Sequence, residues 1–152
     1  LLLKWLNPRL HRFEARYGEA SIRLEATHVE PDPEFLDHLF RLTYGGASNV
    51  FAHTRALFRD TCFPVCSPDF LQRYPDALEP ETIASLPWID IDWGTAYATV
   101  PRLSHWLAAQ GLPQPMHKPT SVHSLSSSAL EAAANGQGIT LAQILYNSRH
   151  FF

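Results

Sequence analysis

The feature that most constrains the fold is an alternation of strand-like and helix-like segments, several of them opened by a proline. Ser21 to Thr27 alternates with period two, which puts Ile22, Leu24 and Ala26 on the inner face of a predicted strand. Leu57 to Cys66 reads as extended, and Trp88-Ile89-Asp90-Ile91-Asp92 reads as a further strand. Ser67-Pro68, Pro80 and Pro101 each start a short helix, because proline suits a first helical turn and ends whatever precedes it. Such alternation predicts an α/β sheet with helices packed on its faces.

The other segments fit the same plan. The first helix runs to Tyr17 with Leu3, Leu6, Leu10 and Phe13 on one stripe, and Asn7-Pro8 either kinks it or caps a second segment. Asp32-Pro33 opens a helix carrying Phe35, Leu36, Leu39 and Phe40, and Arg41 to Tyr44 reads as the next strand. Glu81 to Leu86 is helical. The Pro101 helix carries Leu103, Trp106 and Leu107 and stops at Gly111. Val122 belongs to a short strand, Ser126 to Ala134 forms a helix of small residues ended by Asn135-Gly136, and Gly138 to Ala142 is a buried strand.

Composition then excludes several function classes. A chain of 152 residues suits one compact domain or two small lobes, and is long enough to fold without metals or disulfides. Its net charge is -3, from 12 basic and 15 acidic residues, with lysine only at Lys4 and Lys118. That scatter does not make the clustered basic surface a nucleic-acid duplex requires. Cys62 and Cys66 lie too far apart on an extended chain for a disulfide, and no CxxC motif points to zinc. Two reduced thiols fit a cytoplasmic protein. No apolar run approaches the roughly 18 residues of a membrane helix, and no signal peptide is evident at the apolar, uncapped start, which reads as a boundary within a longer chain. Neither a cofactor nor a membrane partner is expected.

Catalytic constellations are weak. The histidines show no zincin spacing. Asp90 and Asp92 share a strand face; this reads as a solvated face ahead of a hard-cation site. Val65-Cys66-Ser67-Pro68 lacks the glycines of a nucleophile elbow, so Ser67 reads as a helix cap. Gly136-Gln137-Gly138 follows a helix and precedes a strand, the reverse of a dinucleotide fingerprint. Two features stand out as ligand contacts. Ser124-Leu125-Ser126-Ser127-Ser128 lies between a strand and a helix start, where free amides and the helix dipole favour an anion; simple capping by one serine explains part of it. Trp93-Gly94 ends a strand where open α/β sheets bind ligands, so Trp93 either lines a pocket or packs under the next loop. Trp5, Trp88 and Trp106 occupy apolar-face positions and read as core.

Four segments, in order, resemble the effector-binding domain of LysR-type transcriptional regulators, in the branch of glycine-cleavage activators. Trp5-Leu6-Asn7-Pro8-Arg9-Leu10-His11-Arg12-Phe13 is similar to the family's WLxPRLxxF helix. Phe63-Pro64-Val65-Cys66-Ser67-Pro68 with Leu71 is similar to PVCSPxxL, Leu86-Pro87-Trp88-Ile89 to LxxxPLI, and Ala132-Ala133-Ala134-Asn135-Gly136-Gln137-Gly138-Ile139 to AAxxGxGI. Together they span essentially the whole chain.

The resemblance implies a two-lobed, Rossmann-like α/β fold of the type 2 periplasmic-binding-protein kind, here incomplete. Residues 1–58 would be the front of lobe one and 59–152 lobe two, with the DNA-binding winged helix-turn-helix outside this chain. It implies a small-molecule effector, anionic or amino-acid-like, in the cleft, and no catalysis. The cleft positions fall on Thr27, His28, Thr43 and Ser124 to Ser127; Thr43 stands where many members carry arginine. It also implies a homodimer or homotetramer in which residues 5–17 and 21–27 pack against about 128–142 of a partner. Trp5, Leu10, Ala129 and Ala132 are the expected interface residues, although the alanines equally suit packing on their own sheet. Two rivals share the α/β pattern: a transport-type solute-binding protein of the same fold, and a small hydrolase.

Overall fold

The computed structural model describes residues 5–19, 21–26, 40–44 and 53–143. The chain divides into two compact units, Leu1–Leu42 and Thr43–Phe152.

In the first unit, helix α1 spans Asn7–Arg16, with Pro8 in its first turn where a missing N–H costs nothing. Asn7-Pro8 therefore opens the α-helical segment, directly after a π-helical Trp5-Leu6. Arg9 stacks 4.7 Å from the Trp5 ring centre and donates to Trp5 O at 2.8 Å. Phe13 and Tyr17 rings lie 4.8 Å apart, and both side chains stay exposed. No residue of α1 is buried.

The predicted strand from Ser21 is not present: residues 21–26 form no strand and are all exposed. Alternation specifies which side chains share a face, but a strand also needs a neighbour for its N–H and C=O groups. None of the described residues pairs with this segment, so Ile22 and Leu24 are exposed instead of facing inward, while Arg23 and Glu25 pair at 2.5 Å. Arg41 to Tyr44 likewise forms no strand. The predicted Asp32-Pro33 helix lies outside the described residues except for Phe40, which is exposed. Thr27, His28 and the last residues from 144 also lie outside them.

The second unit carries the sheet. β1 (Cys62–Val65) pairs antiparallel with β4 (Thr140–Gln143), and β2 (Ile89–Ile91) pairs in parallel with β3 (Ser121–His123). A parallel bridge between Trp88 and Ile139 joins the two pairs, giving the lateral order β1, β4, β2, β3. Pro64, which has no N–H to donate, sits in the outer strand β1. Thr140 is fully buried at the centre, and its hydroxyl donates to Ile89 O at 3.2 Å.

Helices cover this sheet. α2 (Pro68–Arg73) is capped by Ser67, whose hydroxyl accepts from Phe70 N at 3.1 Å, as the sequence predicts. Residues Pro80–Ser85 form a 3-10 turn in place of the expected α-helix. The Thr82 hydroxyl donates to Asp76 O and Glu79 O, and Ser85 donates to Thr82 O; such local bonds compete with regular helix. α3 (Leu103–Ala109) buries Leu103 and Leu107 in a core with Phe70, Ile83, Trp88 and Ile139. α4 (Ser126–Ala134) lays Ala129, Ala132 and Ala133 on Ile89 and Ile91 of β2.

The glycine signature is now explained by packing. Gly136 terminates α4 at φ +74, and Arg73, stacked beside Phe70 and Tyr74, donates to its carbonyl. Gly138 passes so close to Pro87 and Ile89 at the strand junction that an added Cβ would press on both.

Candidate functional site

Parallel strands β2 and β3 end side by side, and α4 begins beside them. Asp92 N donates to His123 O at 2.8 Å, which carries the pairing one residue past β2. The next residue, Trp93, is partly buried against Ile89, Ile91 and the α4 alanines. Its indole N–H donates to Ser126 Oγ at 3.0 Å. Of the two alternatives posed for Trp93, packing is the one its contacts describe. Gly94 then turns the chain away at φ 86 and ψ 177, a conformation open essentially only to glycine.

The serine run behaves differently from simple capping. The cap position of α4 is Leu125, which has no side-chain bond to the helix, so no serine caps it. Ser126 and Ser128 have other partners: Ser126 accepts from Trp93, and Ser128 Oγ lies 2.7 Å from His123 Nδ1. Ser124 and Ser127 are exposed. The start of α4 consequently presents first-turn amides without a side-chain acceptor at the positive end of the helix dipole.

His123 and Arg102 are site-adjacent residues that sequence reasoning missed. His123 Nε2 lies 2.9 Å from Ser121 Oγ, so the ring links hydroxyls of β3 and α4. In a neutral ring one nitrogen donates and the other accepts, which makes one serine an acceptor and the other a donor. The available signal was strand alternation, which puts Ser121 and His123 on one face. Arg102 Nη2 lies 2.6 Å from Asp92 Oδ1, and Nη1 lies 3.4 Å from Asp90 Oδ2. The Asp90–Asp92 face is therefore neither fully solvated nor an open cation site: a guanidinium fills it.

Thr43 is half-buried, and its hydroxyl oxygen is buried with no partner among the described residues. Such a hydroxyl carries a penalty of about 1–3 kcal/mol until an acceptor or donor meets it. Ala129 and Ala132, at 0% and 6% exposure, pack in their own chain's core, the second of the two roles their small size suits. Trp5 and Leu10 remain half-buried on or beside α1.

Ser67, Cys62 and Cys66 are not set up for nucleophilic attack. Ser67 is a buried cap. Burial pushes the Cys66 thiol above its ordinary value, and Cys62 is raised by burial and then by the nearby charge of Asp60. Both are free thiols held in the unreactive protonated form. Among the described residues, no helix is long and apolar enough to cross a membrane.

Comparison with known proteins identifies the family. A family model described as the LysR substrate binding domain matches residues 1–146. The glycine cleavage system transcriptional activator of Escherichia coli strain K12 is 28% identical over 144 residues, covering 92% of this chain and 44% of that protein. The proteins of the same name from Escherichia coli strain CFT073 and from O157:H7 match to the same extent. The chain spans less than half the length of these curated relatives. With a match over nearly its whole length, the chain belongs to the LysR substrate-binding domain family.

Proposed function

We propose that this chain is the effector-sensing domain of a cytoplasmic LysR-type transcriptional regulator and performs no catalysis. In this reading residues 1–58 begin one lobe and 59–152 form the other, in a type 2 periplasmic-binding-like arrangement. A small anionic or amino-acid-like molecule binds between the lobes and favours one closure or subunit geometry by its differential affinity. DNA is contacted through a winged helix-turn-helix elsewhere in the protein. A homodimer or homotetramer forms through α1 and the segment after it, with Trp5 and Leu10 in the interface.

The observation that carries the reading is the Trp93–Ser126 hydrogen bond at the ends of the parallel strands. Because Ser126 Oγ accepts from the indole, its own hydrogen is left to donate outward. Ser124, Ser127 and the uncapped amides of α4 add further donors. A cluster of donors at a helix start matches a carboxylate. The family resemblance is what adds Thr27, His28 and Thr43 to the proposed contacts.

The test is calorimetric titration of the whole protein with glycine, alanine, acetate and succinate. Replacing Ser126 and Ser127 together by alanine removes two hydrogen bonds to the bound molecule. At about 0.5–1.5 kcal/mol each, affinity should fall by about 5- to 150-fold, while loss of the indole's acceptor at about 1 kcal/mol lowers the melting temperature by only about 2–4 °C. Unchanged affinity in the double variant would remove both serines from the site.

A further inference from the structure

We infer that Arg102 is a positioning residue for the Trp93–Ser126 pair, acting through the carboxylate of Asp92. The inference uses the sensing role proposed above only to say why the pair matters.

The connection can be followed bond by bond. Arg102 is held at the start of α3: its N–H donates to His105 Nδ1 at 3.2 Å, and its carbonyl accepts from Trp106 N at 3.1 Å. α3 is itself anchored by Leu103 and Leu107, exposed by only 2% and 0%. From that fixed base the guanidinium reaches back to Asp92 Oδ1 at 2.6 Å. The same oxygen accepts from Gly94 N at 3.0 Å, closing a tight turn with Trp93 at its apex. Asp92 N is meanwhile bonded to His123 O. Trp93 is therefore flanked by two held backbone groups: Asp92 N is fixed by β3, and Gly94 N is fixed by the Asp92 carboxylate.

The charge of that carboxylate gives Arg102 its role. Asp92 is half-exposed, with a side-chain exposure of 52%, so without a cation it has water as a competing partner. Arg102, at 27%, is the more sheltered member and sets where the carboxylate rests. The second arm, to Asp90, is longer at 3.4 Å and lies two residues further from Trp93. Arg102 thus transmits the position of α3 to the indole, and the indole orients the Ser126 hydroxyl. An Asp-Trp-Gly turn at a strand end does not by itself require a distant arginine; the geometry here supplies one.

The experiment follows the indole N–H resonance of Trp93 in the whole protein, assigned by its loss in Trp93→Phe. The Trp88 indole, which donates to His117 O at 2.9 Å, reports whether the core is intact. Arg102→Ala should move the Trp93 resonance upfield, in the direction produced by Ser126→Ala, while Trp88 stays in place. Arg102→Lys, which keeps the charge and not the fork, should recover part of the shift. Asp90→Asn should leave Trp93 unmoved. If Arg102→Ala loses the Trp88 signal as well, Asp92→Asn serves in its place, since it can keep an oxygen for Gly94 N and loses only the ion pair. An unmoved Trp93 resonance in a folded Arg102→Ala or Asp92→Asn chain would overturn the inference, as would an equal shift from Asp90→Asn. These readouts need no ligand, so failure of all four compounds to bind the wild-type protein counts against the sensing role alone.

Discussion

Gly138→Ala places a methyl group where β2 and β4 join, and the structure gives the size of the conflict. The new carbon would lie 3.0 Å from Pro87 O and 3.2 Å from both Ile89 Cγ1 and Pro87 C. Neither neighbour yields easily. Pro87 O accepts from Ile139 N at 2.9 Å, and Ile89 is 1% exposed beneath α4. Overpacking of this kind costs about 1–3 kcal/mol, and weakening the Ile139–Pro87 bond adds about 1 kcal/mol. A total near 3 kcal/mol corresponds to a fall of roughly 6–12 °C in melting temperature for a domain of this size. Gly111→Ala is the internal comparison, because Gly111 has φ +71 and nothing lies within 4 Å of where its methyl group would stand. It isolates the left-handed backbone term, about 1 kcal/mol and so about 2–4 °C. Gly136→Ala combines both effects, since φ is +74 and Arg73 Nη2 would lie 2.8 Å away, but that side chain can swing aside. The assay is urea unfolding with the slope compared across the three variants, together with thermal melts. Should Gly138→Ala cost no more than Gly111→Ala at an unchanged slope, steric exclusion at the junction is not why glycine stands there.

Two further outcomes follow from burial and exposure. Both thiols have folded values raised above the ordinary 9.0, so the neutral form is favoured by the fold. Their contribution to stability is intact below pH 9.0 and is lost as pH rises through the folded values. Melting temperature should therefore drop more steeply above that point in the wild type than in a Cys62→Ser, Cys66→Ala chain; parallel curves would refute it. For the proposed interface, truncating Trp5 and Leu10 to alanine should weaken self-association by about 30-fold, from about 2 kcal/mol for a central aromatic anchor. A double variant sedimenting as wild type would exclude α1 from the contact.

The second unit was readable because its elements are locally signed. Ser67-Pro68 holds both a cap and a first-turn proline, and α2 starts there. Ser126 to Ala134 is helical over the predicted span, since Asn135-Gly136 supplies a left-handed stop. The first unit was less readable, because the period-two pattern of residues 21–26 names a face and says nothing about the partner that a strand requires. The 3-10 turn at Pro80 was missed for a related reason: Thr82 and Ser85 hydroxyls bond to carbonyls that a propensity argument assigns to the helix.

The candidate site shows the same limit at the level of single atoms. Trp93 and the serines were identifiable one by one, from strand end and helix start, yet their pairing depends on β2 and β3 being parallel neighbours. Only that adjacency brings an indole to a hydroxyl 33 positions away. Arg102 is the harder case. Ten residues separate it from Asp92, and α3 intervenes only after it, so nothing in the spacing distinguishes it from the other scattered arginines. Yet that scatter excluded a nucleic-acid surface on composition, and it has a local counterpart here. One cation fixed between two carboxylates leaves the trio net negative, so it offers an anion no attraction at the strand ends. In the proposed site, the attraction for an anion would then have to come from oriented hydrogen-bond donors at α4, which act over a few ångströms and select by shape. A sensor that must distinguish one small metabolite from many of equal charge is better served by such donors than by a free arginine.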